Sequence, residues 1–367
     1  MGLYISISIF LIAVLCLELL TKRKISYKTF ENSTLPKEYK HTHSQIAFFL
    51  FVMLLLWFLT AFRSEYIGSD TIQYFNHFKA MSYYGKISFN SRFEIGYQIL
   101  TLIISKINPN PYFFLGVIAT ICYLATGIYI YKYSDNIVFS TVLVFPIAYG
   151  FFATGLRQAI AMVIILYAYQ AIKNNKNILA FLIILFAATF HTSALIALFL
   201  LLHKIIPKKP IIIIPLSAIL IIFSLAGFMD DILSAILPFY AGYYENEIIT
   251  DGWLGITYYC LRNIVFYILV YLSYKKSQKQ NCLALSNFVI LFLTTCFGFS
   301  LSLFSRATNY FLLICIVELP NAIYRGRLPY KKIFVFLIGF IMVLYFVVTL
   351  IIRPDWNTLC PYKFFWN

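Results

Sequence analysis

An all-α, polytopic transmembrane helical bundle is the fold class this sequence predicts, and three observations predict it. Sixty-one per cent of the residues are hydrophobic, 19% are aromatic and the mean hydropathy is +0.82, values foreign to a soluble chain. Apolar runs of roughly 17–25 residues, the length that crosses a bilayer as a helix, recur from end to end. The lysines sit in short loops between those runs, as cytoplasmic loops require. The net charge of +15 is therefore a matter of topology, and no nucleic-acid partner is expected. The pattern gives one integral membrane domain over residues 1–367 with about twelve membrane helices.

In order, Gly2–Leu20 is a first span. No positive charge precedes it and Lys22-Arg23-Lys24 follow, the reverse of a signal peptide's flanks, which puts the N-terminus outside. The loop Thr21–Ser44 carries six Lys/Arg and belongs inside; Gln45–Phe62 crosses outward. Residues 63–94 form an outer loop, polar and aromatic, with a turn at Gly68-Ser69-Asp70. A helical pattern then runs through 94–106 to the breaker Asn108-Pro109-Asn110-Pro111. Tyr112–Tyr131, Ile137–Ala153 and Arg157–Ile172 are spans, the last two joined by Thr154-Gly155.

Two topologies fit this region. If 94–106 crosses, Arg157 faces the cytoplasm. If it lies in the outer interface, Arg157 faces out, and the run 178–202 must cross twice, broken at His191-Thr192-Ser193, where Thr or Ser can N-cap a second half-helix. In the second choice a segment too short to span and a run too polar for one span repair each other, and it is preferred. Ile211–Phe228 then crosses outward to a second outer loop, 230–255, with five acidic residues and no Lys or Arg. Ile256–Tyr274 returns with Arg262 near its outer third, Leu283–Leu303 exits to Ser305-Arg306, and Thr308–Ile323 re-enters. Ile333–Ile352 exits, leaving an outer C-terminal tail, 353–367.

On this assignment 16 of 20 lysines lie inside, whereas six of nine arginines (63, 92, 157, 262, 306, 353) lie outside or at the outer edge. The rule that draws positive charge inward counts both residues alike, so it does not predict their separation. Arginine is suited to bidentate capture of phosphate and carboxylate. An outer cavity ringed by arginines reads as a site for an anionic, phosphorylated amphiphile.

Two polar islands stand out. Gly155-Leu156-Arg157-Gln158-Ala159-Ile160-Ala161 puts a guanidinium and a carboxamide at the start of an apolar helix, followed by small residues that leave room for a ligand. Set against a snorkelling arginine, a phosphate clamp is the better reading. Phe190-His191-Thr192-Ser193-Ala194 places an imidazole at a helix break, where it can orient a phosphate or act as a base. Asp70 and Glu94 are candidates to accept a proton from a sugar hydroxyl. Arg63 and Arg92 flank the same loop, and local ion pairs in a solvated loop would explain these four charges equally well. Arg306 with Tyr310, and Arg262, are further binding candidates. Glu18 and Glu318 lie within spans and read as structural. The seven cysteines form no CxxC pair and no even framework, so neither metal nor disulfide is assigned, and no cofactor is expected.

The order of these islands resembles the Wzy-type polysaccharide polymerases, and more closely their EpsG-like branch. The likeness rests on Arg63, Gly68-Ser69-Asp70-Thr71 with Tyr74 and Phe78, Arg92-Phe93-Glu94-Ile95-Gly96-Tyr97, the two islands above, Arg306 with Tyr310-Phe311, and Pro361-Tyr362. It implies a metal-independent glycosyltransferase of the bacterial inner membrane. Oligosaccharide repeat units carried on undecaprenyl diphosphate would be joined into O-antigen or exopolysaccharide on the outer face, with a chain-length regulator as a possible partner. Arg157 and Gln158, with Arg306, Arg262, Arg63, Arg92 and Tyr310, would bind the diphosphate or substrate, and Glu94, Asp70 or His191 would assist the acceptor hydroxyl. A glycan ligase shares this donor and chemistry. A flippase of the same lipid-linked sugar would show two related halves, and no such repeat is present. A membrane acyltransferase would want its histidine near a cytoplasmic donor.

Overall fold

The computed structural model describes residues 1–21, 41–89, 91–226, 253–275, 282–298, 302–326, 328–354 and 358–366. The outer loop expected at 230–255, except its last three residues, which begin a helix, and most of the basic loop after the first span lie outside the described residues. What is described is all-α, apart from one isolated bridge between Arg63 and Phe364. Six helices are long and apolar enough to cross a membrane, and five shorter apolar helices accompany them. The chain is a multi-pass membrane protein. Ile9, Leu17, Ile333, Leu337 and Ile341 are exposed along its helices, as side chains solvated by hydrocarbon should be.

Contacts gather the chain into two compact units that interleave in sequence: Met1–Asn90, Gln98–Ala159 and Pro329–Asn367 form the first, Ser91–Tyr97 and Ile160–Leu328 the second.

The first unit contains α1 (Gly2–Leu20), α2 (His43–Ala61), α3 (Thr71–Tyr84), most of α4 (Ile95–Ile107), α5 (Pro111–Tyr133), α6 (Ile137–Val144), α7 (Gly150–Thr154) and α14 (Lys331–Ile352). Its centre is the nearly wholly buried span formed by α6, a π-helical turn (Phe145–Tyr149) and α7. Pro146 lies in that turn. Proline has no N–H and its ring clashes with the carbonyl four residues back, so the helix widens locally instead of breaking. α1 presents Tyr4, Ile7, Leu11 and Leu15, spaced three and four apart, to the interior. Gly339 of α14 lets that helix approach closely, since a Cβ there would stand 2.5 Å from Leu15. Asn110 caps α5 by accepting from Tyr112 N–H at 2.8 Å.

The outer tail of the sequence reading is a packed strap. Ser64 N–H donates to Lys363 O at 2.9 Å, Phe365 N–H to Phe62 O at 3.1 Å, and the Tyr362 hydroxyl to Leu59 O at 2.7 Å. Phe364 stacks on Trp366 with centroids 4.5 Å apart, and Phe365 packs on Tyr112 at 4.8 Å.

The second unit holds most of α8 (Leu156–Lys173), α9 (Asn177–Ala188), a 3-10 helix (Thr192–Leu202), α10 (Pro210–Leu225), α11 (Trp253–Lys275), α12 (Cys282–Phe297) and α13 (Ser302–Arg325). α13 is its buried axis. Asn287 of α12 donates to Phe311 O at 3.2 Å, and Lys173 Nζ reaches Glu318 Oε1 at 2.7 Å. The expected break at His191 is present. Beyond it the 3-10 helix turns every three residues, which is why Ala194, Ala197 and Leu200 are its buried side chains.

Candidate functional site

In the first unit the loop before α3 carries Arg63, Gly68 and Asp70. Gly68 has φ +95, a left-handed conformation, and a Cβ there would lie 2.6 Å from Ala153 O, so only glycine lets the loop seat on the end of α7. The Thr71 hydroxyl donates to Ile67 O at 2.7 Å and closes the turn. At Gly155 (φ −96, ψ 63) the helix stops, and α8 restarts at Leu156.

Arg157, half-buried in the first turn of α8, meets the Tyr74 phenol with both its guanidinium and its backbone. Burial raises the Tyr74 phenol above its ordinary range, the Arg157 charge opposes that, and Asp70 nearby adds to it. Phenol, guanidinium and carboxylate thus share one corner of the unit. The first-turn N–H groups of a helix have no acceptor within it, so this corner combines a fixed cation with a helix N-terminus, the usual setting for an oxyanion. Gln158 is buried beside it.

Arg63 is placed differently from a surface ligand. It is fully buried, its Nε donates to Ile67 O at 3.3 Å, and Nη1 donates to Thr60 O. Burial pulls its guanidinium down to about 10, against the nearby phenols of Tyr149 and Tyr362, which favour the charge. Burial likewise pushes the Tyr362 phenol up.

In the second unit three segments converge. Gly96 N–H donates to Thr189 O at 2.8 Å, and a Cβ on Gly96 would lie 2.9 Å from that oxygen. Glycine therefore lets the start of α4 close onto the end of α9. Glu94, just ahead, accepts two hydrogen bonds at Oε1, from Thr192 N–H at 3.2 Å and from His191 Nδ1 at 3.0 Å. His191 itself is extended (φ −156, ψ 114) and has no capping hydrogen bond from its side chain. The expectation that Thr192 or Ser193 would cap the second half-helix is thereby corrected. A carboxylate 98 residues away takes that role, because the close approach at Gly96 brings it there.

With Nδ1 engaged by a carboxylate, the tautomer that donates to Glu94 leaves Nε2 as the basic nitrogen. Nε2 meets no partner among the described residues, and the side chain is 24% exposed. Ser193 Oγ lies 3.0 Å from the Tyr310 hydroxyl, which ties the 3-10 helix to α13. Arg306, exposed, is one turn before Tyr310 on the same face. Arg92 is exposed, 5.0 Å from the Phe93 ring. Arg262 lies over the rings of Tyr258 and Tyr259, at 5.8 and 5.1 Å, and donates to Asn263 Oδ1 at 2.9 Å.

The sequence-predicted residues thus fall into two groups: Arg63, Asp70, Arg157 and Gln158 in the first unit, and Arg92, Glu94, His191, Arg262, Arg306 and Tyr310 in the second. Tyr74, beside Arg157, and Ser193, beside Tyr310, join these groups without a role expected for either from the sequence. Tyr74 is one of 29 tyrosines, and its spacing to Phe75, Phe78 and Met81 reads as a buried face of α3. No group of three or more His, Cys, Asp and Glu is placed to hold a metal among the described residues.

Among known proteins, the profile of the EpsG family matches residues 46–364. No curated protein and no solved structure matches significantly.

Proposed function

Because the chain belongs to the EpsG family, whose members are associated with polysaccharide polymerisation, we propose that it joins lipid-linked oligosaccharide repeat units into a surface glycan by inverting transfer. The donor would be a growing chain on undecaprenyl diphosphate and the acceptor a new unit on the same carrier, met on the outer face of a bacterial inner membrane. The observation that carries this reading is the Glu94–His191 pair, with Nδ1 held at 3.0 Å and Nε2 left unengaged among the described residues.

In the proposed step, Nε2 of His191 takes the proton of an acceptor hydroxyl as its oxygen attacks the anomeric carbon. The bond from that carbon to the diphosphate breaks, and the diphosphate leaves with the electron pair. Glu94 stabilises the imidazolium that forms. A diphosphate is already a competent leaving group, so the chain needs cations to hold it rather than an acid to protonate it. Arg306, on the face of α13 that Tyr310 ties to Ser193, is assigned to donor phosphate. Arg157 with Tyr74 is assigned to lipid-linked phosphate in the first unit on its chemistry alone. Arg262, engaged by Asn263 and two rings, is a weaker ligand, and Arg63 supports the Gly68 loop. A single displacement inverts the anomeric centre, and neither metal nor cofactor enters the proposed step. A chain-length regulator is a further proposed partner.

The test is a surface-glycan gel of a deletion strain complemented with wild type or His191→Ala. Loss of the ladder with a single repeat retained supports the polymerase. Loss of all surface units with lipid-linked intermediates trapped inside would instead indicate a flippase. Full-length chains left on the lipid carrier would indicate a ligase.

A further inference from the structure

α11 and α12 pack antiparallel, and their side-chain contacts form a ladder. Phe266 meets Phe288 edge-on with centroids 6.5 Å apart, Tyr267 stacks on Phe292 at 6.4 Å, and Asn263 Nδ2 donates to Thr295 Oγ1 at 2.7 Å. From Tyr267 back to Asn263 along α11 the partner moves forward along α12, from Phe292 to Thr295. Cys260 lies one turn before Asn263 on the same face of α11 and Cys296 follows Thr295 one turn after Phe292 on α12, so the two thiols come next along this seam, near enough to interact. Both are free, Cys260 half-buried and Cys296 fully buried. The arrangement therefore sets two thiols side by side on adjacent helices, one of them half-buried and the other buried.

We propose that Cys260 and Cys296 form a dithiol site that closes to an interhelical disulfide. Two S–H bonds break and one S–S bond forms, and the two protons and two electrons pass to an oxidant of the azo or disulfide class. Bonding needs the sulfurs to draw in to about 2.05 Å, with the Cα atoms about 4.4–6.8 Å apart, and the two helices pack directly on each other here. The sequence-based topology puts this end of α11 outside, where disulfides persist. The bond would fix the helix start that carries Arg262, two residues from Cys260. The site is independent of the polymerase reading, because nothing in that reaction uses either thiol.

The experiment takes the full chain, purified in detergent and reduced, treats it with diamide, blocks the remaining thiols and digests it without reductant for mass spectrometry. The expected result is a linked Cys260–Cys296 peptide and a loss of two alkylatable thiols, reversed by dithiothreitol. In Cys260→Ser, or in Cys260→Ala should the serine variant not fold, neither change occurs. Full retention of all seven cysteines as thiols in the wild type, or Cys296 linked to another cysteine, overturns the proposal. Glycan synthesis is not the readout, so a failed polymerase assignment leaves this result unaffected.

Discussion

The two polar groups are built by opposite means. In the first unit, Arg157 gets its position from a helix restart, and its partner Tyr74 from a short loop pinned by Gly68 on Ala153. The result is cationic, and the loop before Tyr74 is braced at Ile67 O by a second, fully buried arginine, Arg63. In the second unit the charges are carboxylate and imidazole, held at a chain break by one glycine's close approach, Gly96 to Thr189. The first arrangement suits binding of a fixed anion, since nothing in it has to change protonation. The second suits proton transfer, because it couples a base to a group that stabilises its charged form. If that division is right, variants of the two arrangements should fail differently: His191 and Glu94 in proton transfer, Arg157 and Tyr74 in retention of phosphate.

The largest expected effect tests the second group. His191→Ala should lower polymer formation by about 10²–10⁴-fold, the usual contribution of a positioned base, with protein level and thermal stability near wild type. Gly96→Ala should approach that loss without touching a titratable group, because the added methyl drives Thr189 and the Glu94 segment apart. Glycan gels with matched expression read both. A Gly96→Ala strain with full-length ladders would mean that the close approach does not set the dyad.

Next comes the ion pair that joins α8 to α13 within the second unit. Glu318 is fully buried and its Oε2 has no partner among the described residues, so Lys173 is what offsets its charge. Lys173→Met should destabilise by about 3–5 kcal/mol, because it strands a buried carboxylate, whereas the double variant Lys173→Met with Glu318→Gln should recover most of that loss. Thermal unfolding in detergent measures both. An additive double variant would show the pair to be uncoupled.

How far the sequence discloses all this depends on distance along the chain. Spans follow from apolar runs, and the break at His191 follows from three polar residues inside 178–202, because both are local patterns. The restart at Arg157 is legible for the same reason. What joins Glu94 to His191 is not local, and both residues could be named only as separate candidates. Gly96 carries no signal at all until Thr189 is beside it. The π-helical turn at Pro146 preserves the length of its span, so hydropathy passes over it. The tail reads from the sequence only as an outer segment, since nothing in Pro361-Tyr362 announces a bond to Leu59.

Arg157 sharpens the first half of the comparison. Arg157→Ala should cost about 1.5–3 kcal/mol in binding of a lipid-linked phosphate, the range for hydrogen bonds to charged groups, or about ten- to a hundredfold. Arg157→Lys should recover only part of it, because an ammonium keeps the charge and loses the planar fork. The readout is retention of a lipid diphosphate by the purified chain, with His191→Ala alongside. The division of labour requires His191→Ala to bind normally while Arg157→Ala does not. Equal losses in both would merge the two roles.

The smallest effect asks whether the strap belongs to the working part of the first unit or only to its scaffold. The Tyr362 hydroxyl donates to Leu59 O at 2.7 Å, and the adjoining backbone pairs with residues on either side of Arg63. Tyr362→Phe removes one hydrogen bond and no apolar surface, so it should lower stability by about 1 kcal/mol. The strand pairing and the Phe364–Trp366 stack stay in place to hold the tail. If the strap is scaffold, polymer length is unchanged and only the melting temperature falls. If polymer falls as far as in Arg157→Ala, then the ordering of Arg63 and the Gly68 loop by the tail is part of how Arg157 is aimed, and the first group extends to the chain's last residues.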